Sequence, residues 1–354
     1  MPIRNSEIAE LLAVEAETAK HPAQRALRRA SRRAFLWEEE VEDILSQSRA
    51  LTELSGVGPY ISKVIQRWVH HPPAIPDPPE IRRHFLTWTD TVHALKARPE
   101  WASQLKGDLQ MHTQWSDGGD SVEAMANEAA SRGYEFIAIT DHSKGLKIAG
   151  GIDERQLLRQ KQEIEGINRL LRANRQSVTV LRSLEVNLSP SGEVDMEPSA
   201  LDQLDIVLGC FHSALRRRDD QTDRYLSALN NPSIQILGHP KGRIYNFRLG
   251  LQADWTRVFG RAAELDKAVE IDAYPDRQDL NVELLKIAQK SGCRVSFGTD
   301  AHGSSQLRFI VFALAASLIA GIPADRILNF MHSDQLLAWA RNVRERSPRL
   351  KRGA

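Results

Sequence analysis

The chain has 354 residues, 42% hydrophobic and 26% charged, and 47 Lys and Arg against 46 Asp and Glu leave a formal net charge of +1. That length accommodates one barrel-sized domain plus one small domain, and the near-neutral balance excludes a broadly basic surface, so any contact with nucleic acid must be local. With only two cysteines, Cys210 and Cys293, a disulfide-stapled scaffold is excluded, and both read as buried thiols in a reducing, cytoplasmic setting.

In chain order, Met1 to Lys20 is charged and lacks the apolar core of a secretory signal. Arg25, Arg28, Arg29, Arg32 and Arg33 then fall at i, i+3, i+4, i+7 and i+8. This spacing predicts a helix with one arginine-lined face opposite Ala26, Leu27, Ala30 and Ala34. Such a face suits a nucleic-acid backbone without reading its sequence. The acidic run Glu38-Glu39-Glu40, with Glu42 and Asp43, offers a local counterweight. From Leu51 to Ile65 the segment resembles a helix-hairpin-helix: an apolar helix end, the hairpin Gly56-Val57-Gly58, and a second helix carrying Lys63. Glycines allow the tight turn and leave backbone N–H groups at the helix start free for a phosphate. His70-His71-Pro72-Pro73 to Pro79 reads as an extended, proline-rich spacer, with the two histidines as loop residues, followed by a helix over 81–97.

From residue 105 the pattern changes. Seven short apolar runs, 105–111, 136–140, 178–184, 206–211, 234–238, 268–272 and 295–299, alternate with helical stretches over 121–131, 154–172, 220–229, 255–265, 282–290 and 306–320. Repeated β-α units of this kind form a β/α barrel, whose reactive groups collect at the carboxyl ends of the strands. Each histidine between residues 100 and 330 ends one of these runs: His112, His142, His212, His239 and His302, in phase with Asp117, Glu185 and Asp300. Imidazole and carboxylate together suit zinc, manganese or iron, so the rim reads as a multinuclear metal site. The longest apolar stretch, 309–322, is too short to span a bilayer and fits a buried barrel helix, so no membrane association is expected. Arg341, Arg344, Arg346, Arg349, Lys351 and Arg352 read as a basic tail.

Gly107-Asp108-Leu109-Gln110-Met111-His112-Thr113, Trp115-Ser116-Asp117-Gly118, Thr140-Asp141-His142-Ser143, Gly238-His239-Pro240, Pro275-Asp276-Arg277 and Gly298-Thr299-Asp300-Ala301-His302 resemble the PHP (polymerase and histidinol phosphatase) superfamily. More narrowly they resemble the PHP domain of bacterial family X DNA polymerases, and residues 1–71 resemble the small DNA-binding domain of the same enzymes. The resemblance implies an α/β fold, a distorted (β/α)7 barrel over residues 105–342, beside a small all-α helix-hairpin-helix domain over 1–71. A spacer and helix over 72–104 would join them, with a basic tail over 343–354.

It also implies two or three divalent metals. The first would take His112, Glu185 and Asp300; the second would share Glu185 and add His212 and His239; the third would take Asp117, His142 and His302. The family opens on His-any-His, and here Gln110 replaces the first histidine. A neutral amide oxygen is a poorer donor than imidazole, so the first site should bind metal more weakly and favour manganese or magnesium. Glu185, Asp300 and His212 are expected to carry the chemistry, with Arg243 and Arg277 on phosphate, Lys241 a weaker candidate, and Gly56, Gly58, Lys63 and the arginine face on DNA.

The expected function is metal-dependent hydrolysis at nucleic-acid ends, as a 3′-5′ exonuclease or 3′-phosphatase on single strands or 3′ ends without sequence preference. No polymerase activity is expected, because no room exists for the palm domain between the two parts. Two alternatives stand beside this reading: a small-molecule phosphatase of histidinol-phosphatase type, and a DNA-binding scaffold impaired by Gln110.

Overall fold

The structure, a computed structural model, describes residues 3–346. Its amino-terminal part is all helical: α1 (Asn5–Thr18), α2 (Ala23–Ala34), α3 (Val41–Ser46) and α4 (Pro59–His70). In α2, Leu27, Ala30 and Ala34 recur at helical spacing and bury into one core with Ile8, Leu12, Ile44 and Ile65, which leaves the five arginines on the opposite face exposed. Ahead of the glycine hairpin there is no full helix. The chain breaks at Ser48, in the left-handed region at φ +58°, and then makes a 3₁₀ turn over Leu51–Glu53. Gly56, at φ +83°, takes the turn into α4, whose first residue is Pro59.

The spacer is ordered into the rest of the molecule. After a 3₁₀ turn over Glu80–Arg82, α5 (Trp88–Lys96) begins at a Thr87 capping box and α6 (Pro99–Ala102) follows. Trp88 meets Phe312 edge to ring at 6.0 Å, and the Trp101 indole N–H donates to the Leu314 carbonyl at 3.1 Å. The helices within the expected 72–104 spacer thus pack on the barrel at Phe312 and Leu314.

Among the described residues eight short strands follow: β1 (Gly107–Asp108), β2 (Phe136–Ile139), β3 (Thr179–Arg182), β4 (Glu185–Asn187), β5 (Leu208–Cys210), β6 (Ile236–Leu237), β7 (Ala268–Asp272) and β8 (Arg294–Gly298). They are joined or followed by α7 (Val122–Ser131), α8 (Glu154–Ala173), α9 (Pro198–Leu201), α10 (Thr222–Asn230), α11 (Trp255–Glu264), α12 (Val282–Lys290), α13 (Ile310–Ile319) and α14 (Ser333–Arg346). All strand neighbours are parallel, in the orders β1-β2-β3 and β4-β5-β6-β7-β8.

The run expected over 178–184 holds β3, and the second strand that follows it at Glu185, β4, lies in the other sheet. Asp205 takes the Arg182 backbone N–H at 2.8 Å, which ends β3, and a bridge between His142 and Glu185 carries the ring across the break. Leu109 N–H donates to the Phe297 carbonyl at 3.1 Å and Asp300 N–H to that of Gln110 at 3.0 Å, closing the ring between β8 and β1. Helices cover these strands, which explains their nearly continuous Val, Ile and Leu. The apolar stretch beginning at Phe309 is the buried α13. No helix among the described residues is long and apolar enough to cross a membrane.

Two expectations about the ends need correction. The tail expected from residue 343 is helical through Arg346, with Val343 buried and Arg344 donating to the Leu204 carbonyl at 3.0 Å; Arg349, Lys351 and Arg352 lie outside the described residues. His70 is the last residue of α4 rather than part of a loop.

The helical part and the barrel share a core. Tyr245, from the loop after β6, enters the helical cluster, where its hydroxyl lies 3.0 Å from Ser31 Oγ and its ring packs edge-on to Phe35 and Phe85. Beside it, buried Arg82 forms a two-pronged pair with buried Glu10 at 2.8 and 2.9 Å.

Candidate metal centre

The strand ends bring the expected residues together around Glu185. Its Oε1 lies 2.8 Å from His212 Nε2 and 2.9 Å from His239 Nε2, and its Oε2 lies 3.2 Å from His112 Nε2 and 3.6 Å from His142 Nδ1. His112 Nε2 also meets Asp300 Oδ1 at 2.9 Å. On the outer side, Asp117 Oδ1 is 3.6 Å from His142 Nε2 and 3.5 Å from His302 Nε2. The rings of His112 and His142 stack with centroids 4.3 Å apart. The eight residues mapped from the resemblance thus lie at one rim; His112, Glu185 and Asp300 group as the mapping implies, while His142 groups with Glu185 and His212 and also with His112 and His302.

Surrounding polar groups hold this arrangement. Asn187 Oδ1 is 3.1 Å from His212 Nδ1, and the Asp300 carbonyl is 2.8 Å from His302 Nδ1, which turns each Nε2 inward. Buried Asp141 accepts from Thr113 N–H, Ser116 Oγ and Gln160 Nε2, fixing the loop that carries Asp117. Buried Asp108 accepts from Thr299 Oγ1 at 2.6 Å and from the Gln110 N–H at 3.2 Å, tying β1 to the end of β8. Asp300 itself sits at φ +50°, a costly backbone state for a non-glycine residue, and one found where a side chain must be aimed.

The electrostatics are those of a site built around charge. Burial pushes the Glu185 carboxyl upward, but the imidazoles of His142, His112 and His212 outweigh that and hold it well below the usual range. Burial also opposes charge on His239, yet its bond to Glu185 and the nearby Glu270 raise it to about 9. His142, desolvated and beside His112 and His212, falls to about 3. Four imidazoles thus converge on one carboxylate, while His112 Nδ1 and Gln110 Oε1 are buried without a hydrogen-bond partner. Lone pairs gathered this closely fit divalent cations, and among the described residues four overlapping groups could hold them: His112 with Glu185 and Asp300, His142 with Glu185 and His212, His239 with Glu185 and Cys210, and the three imidazoles of His112, His142 and His302.

Two acids in this rim were passed over in the sequence. Glu270 and Asp272 alternate with Val269 and Ile271 along β7 and are fully buried. Burial raises both to about 8. Glu270 accepts the His239 backbone N–H at 2.7 Å, and Gly298 leaves room for it: a Cβ there would come within 2.2 Å of Glu270 Oε1 and 2.5 Å of Gln110 Cβ. The signal was present, since acids at period two in an otherwise apolar strand must point at polar partners. Cys210 also lies in the rim, grouped with Glu185 and His239.

The two arginines expected on phosphate part company. Arg277 reaches the centre, its guanidinium in contact with Asp300 and 3.7 Å from Asp272. Arg243 lies elsewhere. It is buried at the junction with the helical part, donates to the carbonyls of Arg83, His84 and Arg277, and lies 3.6 Å from the Phe85 ring centroid. Its Nε and Nη2 are thus engaged at that junction. Arg25, Arg28, Arg29, Arg32, Gly58 and Lys63 are exposed, and Gly56 is partly so.

A PHP domain model matches residues 108–295. The DNA polymerase/3′-5′ exonuclease PolX of Bacillus subtilis is 32% identical over 256 residues, which are 71% of this chain and 43% of that protein. A probable phosphatase of Thermoanaerobacter sp. (strain X514) is 26% identical over 229 residues, covering 62% of this chain and 89% of its own length. Among solved structures, the histidinol phosphate phosphatase of Lactococcus lactis aligns with a TM-score of 0.47 at 17% identity, over 62% of this chain and 94% of that one. This chain therefore spans less than half the length of the Bacillus relative. The family match covers more than half of the chain, from β1 into β8, and the chain belongs to the PHP domain family.

Proposed function

We propose that the chain is a metal-dependent phosphoesterase acting on the ends of nucleic-acid strands, without polymerase activity. The observation that carries the chemistry is Glu185, set within 3.6 Å of four imidazoles in a buried rim that also gathers Asp117, Asp300 and His302. These residues would hold divalent metals, which when bound would supply Lewis-acid activation of water and neutralise charge at the phosphoester, with manganese, zinc and iron all suited to the donor set.

The chain's own groups do the rest. Glu185, Asp300 and His212 form the reactive core, with His212 more accessible than Glu185 or Asp300 and so nearest to an entering substrate. Arg277 stands beside Asp300 with a planar fork suited to two phosphate oxygens. Asn187 and the Asp300 carbonyl keep the outer imidazoles in orientation. A nucleic-acid substrate is supported by the exposed arginine face of α2 and the glycine hairpin, both fixed to the barrel through Tyr245 and Arg82. The PolX relative, named as an exonuclease, supports the same reading.

The test compares manganese-dependent turnover of a single-stranded 3′-labelled oligonucleotide with that of free phosphomonoesters. A higher kcat/KM on the oligonucleotide is expected. A second reading, a small-molecule phosphatase, is supported by the probable phosphatase that this chain spans over 89% of its length. Preference for histidinol phosphate or another free monoester would establish it instead.

A further inference from the structure

We propose that the cleft between α2 and the barrel mouth is a binding track for single-stranded nucleic acid, with Tyr274 and Phe309 as a platform on which its bases stack. The inference rests on the phosphoesterase reading and names the route by which substrate reaches that centre.

A cavity of about 630 Å³ separates the arginine face of α2 from the loops that follow β7 and β8. One wall carries Arg25, Arg28, Arg29, Arg32 and Arg33, and among the described residues none of the five forms an ion pair. The acidic run next in sequence does not pair with them, and four of its five carboxylates are engaged elsewhere. Glu38 pairs with Arg308 at 2.6 Å and Glu39 with Arg49 at 2.7 Å, while Glu40 and Glu42 accept the backbone N–H groups of Asn5 and Ile3. Five free guanidinium groups therefore face one acid in the cavity lining, Asp276. A row of unpaired cations at one-turn spacing suits a polyanion whose charges repeat along its length.

The opposite wall adds what a simple anion site would lack. Tyr274 and Phe309 meet edge to face with centroids 5.5 Å apart. Bases of a single strand can stack on such rings, whereas a duplex has its bases already stacked internally. This wall also leads to the metal centre. Gln306 accepts the His302 backbone N–H at 2.7 Å, and Arg277, with its guanidinium 5.5 Å from the Tyr274 ring centroid, touches Asp300. A strand lying along the arginines and stacked at Tyr274 would thus have its end directed toward the candidate ligands. The hairpin extends the same surface, for Gly56 sits over the Arg33 stem so closely that a Cβ there would come within 3.2 Å of Arg33 Cγ.

Binding of a fluorescein-labelled oligothymidylate to the full chain, followed by anisotropy in EDTA so that no hydrolysis intervenes, tests the track. The doubly substituted Arg29→Glu, Arg33→Glu chain should bind about tenfold or more weakly and with a shallower salt dependence. Phe309→Leu, which keeps the apolar volume but removes the ring, should weaken binding about fivefold or more without changing the salt slope. Arg132→Glu, at the far end of α7, should bind as the unaltered chain does.

Unchanged affinity in both the arginine and Phe309 variants would overturn the proposal. So would tighter binding of a blunt duplex of equal length, or displacement of the oligonucleotide by polyglutamate as effectively as by unlabelled strand. Hydrolysis of bis(p-nitrophenyl) phosphate with manganese separates the two levels. Its absence, with strand binding as described, is a failure of the phosphoesterase reading; its presence, with all variants binding normally, is a failure of the track.

Discussion

Gln110 donates its amide N–H to Glu185 Oε2 at 3.0 Å, while its own carbonyl oxygen is buried without a partner. In the resembled family a histidine holds this position and would present a lone pair to a metal. Here the amide points a proton at the carboxylate on which four imidazoles converge. A free carbonyl oxygen remains, and a rotation of the amide would exchange it for the N–H, so the site keeps a donor but a weak one.

Replacing Gln110 by His should therefore strengthen metal binding. We expect the manganese concentration for half-maximal hydrolysis to fall about tenfold, with metal content rising toward one more ion per chain. Elemental analysis and a manganese titration of activity check this. Equal metal content and an unchanged titration would show that Gln110 does not limit occupancy.

Glu185→Gln keeps the size of the central side chain and removes its charge. Because His112, His142, His212 and His239 all converge on it, we expect loss of bound metal from at least two groupings and a fall in hydrolysis of about 10³-fold. Retention of more than a tenth of the activity would place the chemistry elsewhere.

Much of this centre was legible because the ligands are punctuated by strands. Residues such as His142 and His239 follow apolar runs, and a parallel barrel delivers all such positions to one rim. Glu270 and Asp272 went unread because they lie inside a run, where alternation rather than position gives them away. Arg243 follows a strand end as Arg277 does, and only the packing of Phe85 and the carbonyls of Arg83 and His84 places it at the junction. The end of β3 at Arg182 depends on Asp205, 23 residues away, and no local pattern announces that a new strand opens at Glu185. The junction itself hinges on Tyr245, a loop residue whose partners are about two hundred positions distant.

Burial raises Glu270 from its ordinary 4.5 to about 8. Relative to the unfolded chain, its contribution to stability is complete below about pH 4.5 and is lost as pH climbs through 8. Glu270→Gln cannot ionise, so in EDTA the unaltered chain should lose thermal stability against the variant between pH 5 and 8.5, by roughly 5 °C. Thermal melts at both pH values check this, and a gap that narrows with rising pH would reverse the sign.

Arg82→Ala should be strongly destabilising because it leaves Glu10 buried without its partner. A loss of about 3 kcal/mol or more is expected, and Glu10→Gln combined with Arg82→Met should recover part of it. Denaturant unfolding measures both. A loss below about 1 kcal/mol would mean that the pair contributes no more than an exposed one.

The central claim is tested most directly by manganese-dependent hydrolysis of a single-stranded 3′-labelled oligonucleotide, using the unaltered chain and His239→Ala prepared side by side. The account predicts release of the label by the first, abolished by EDTA, and a loss of about 100-fold or more in the second. No hydrolysis under any divalent metal, or equal hydrolysis by both proteins, would contradict it.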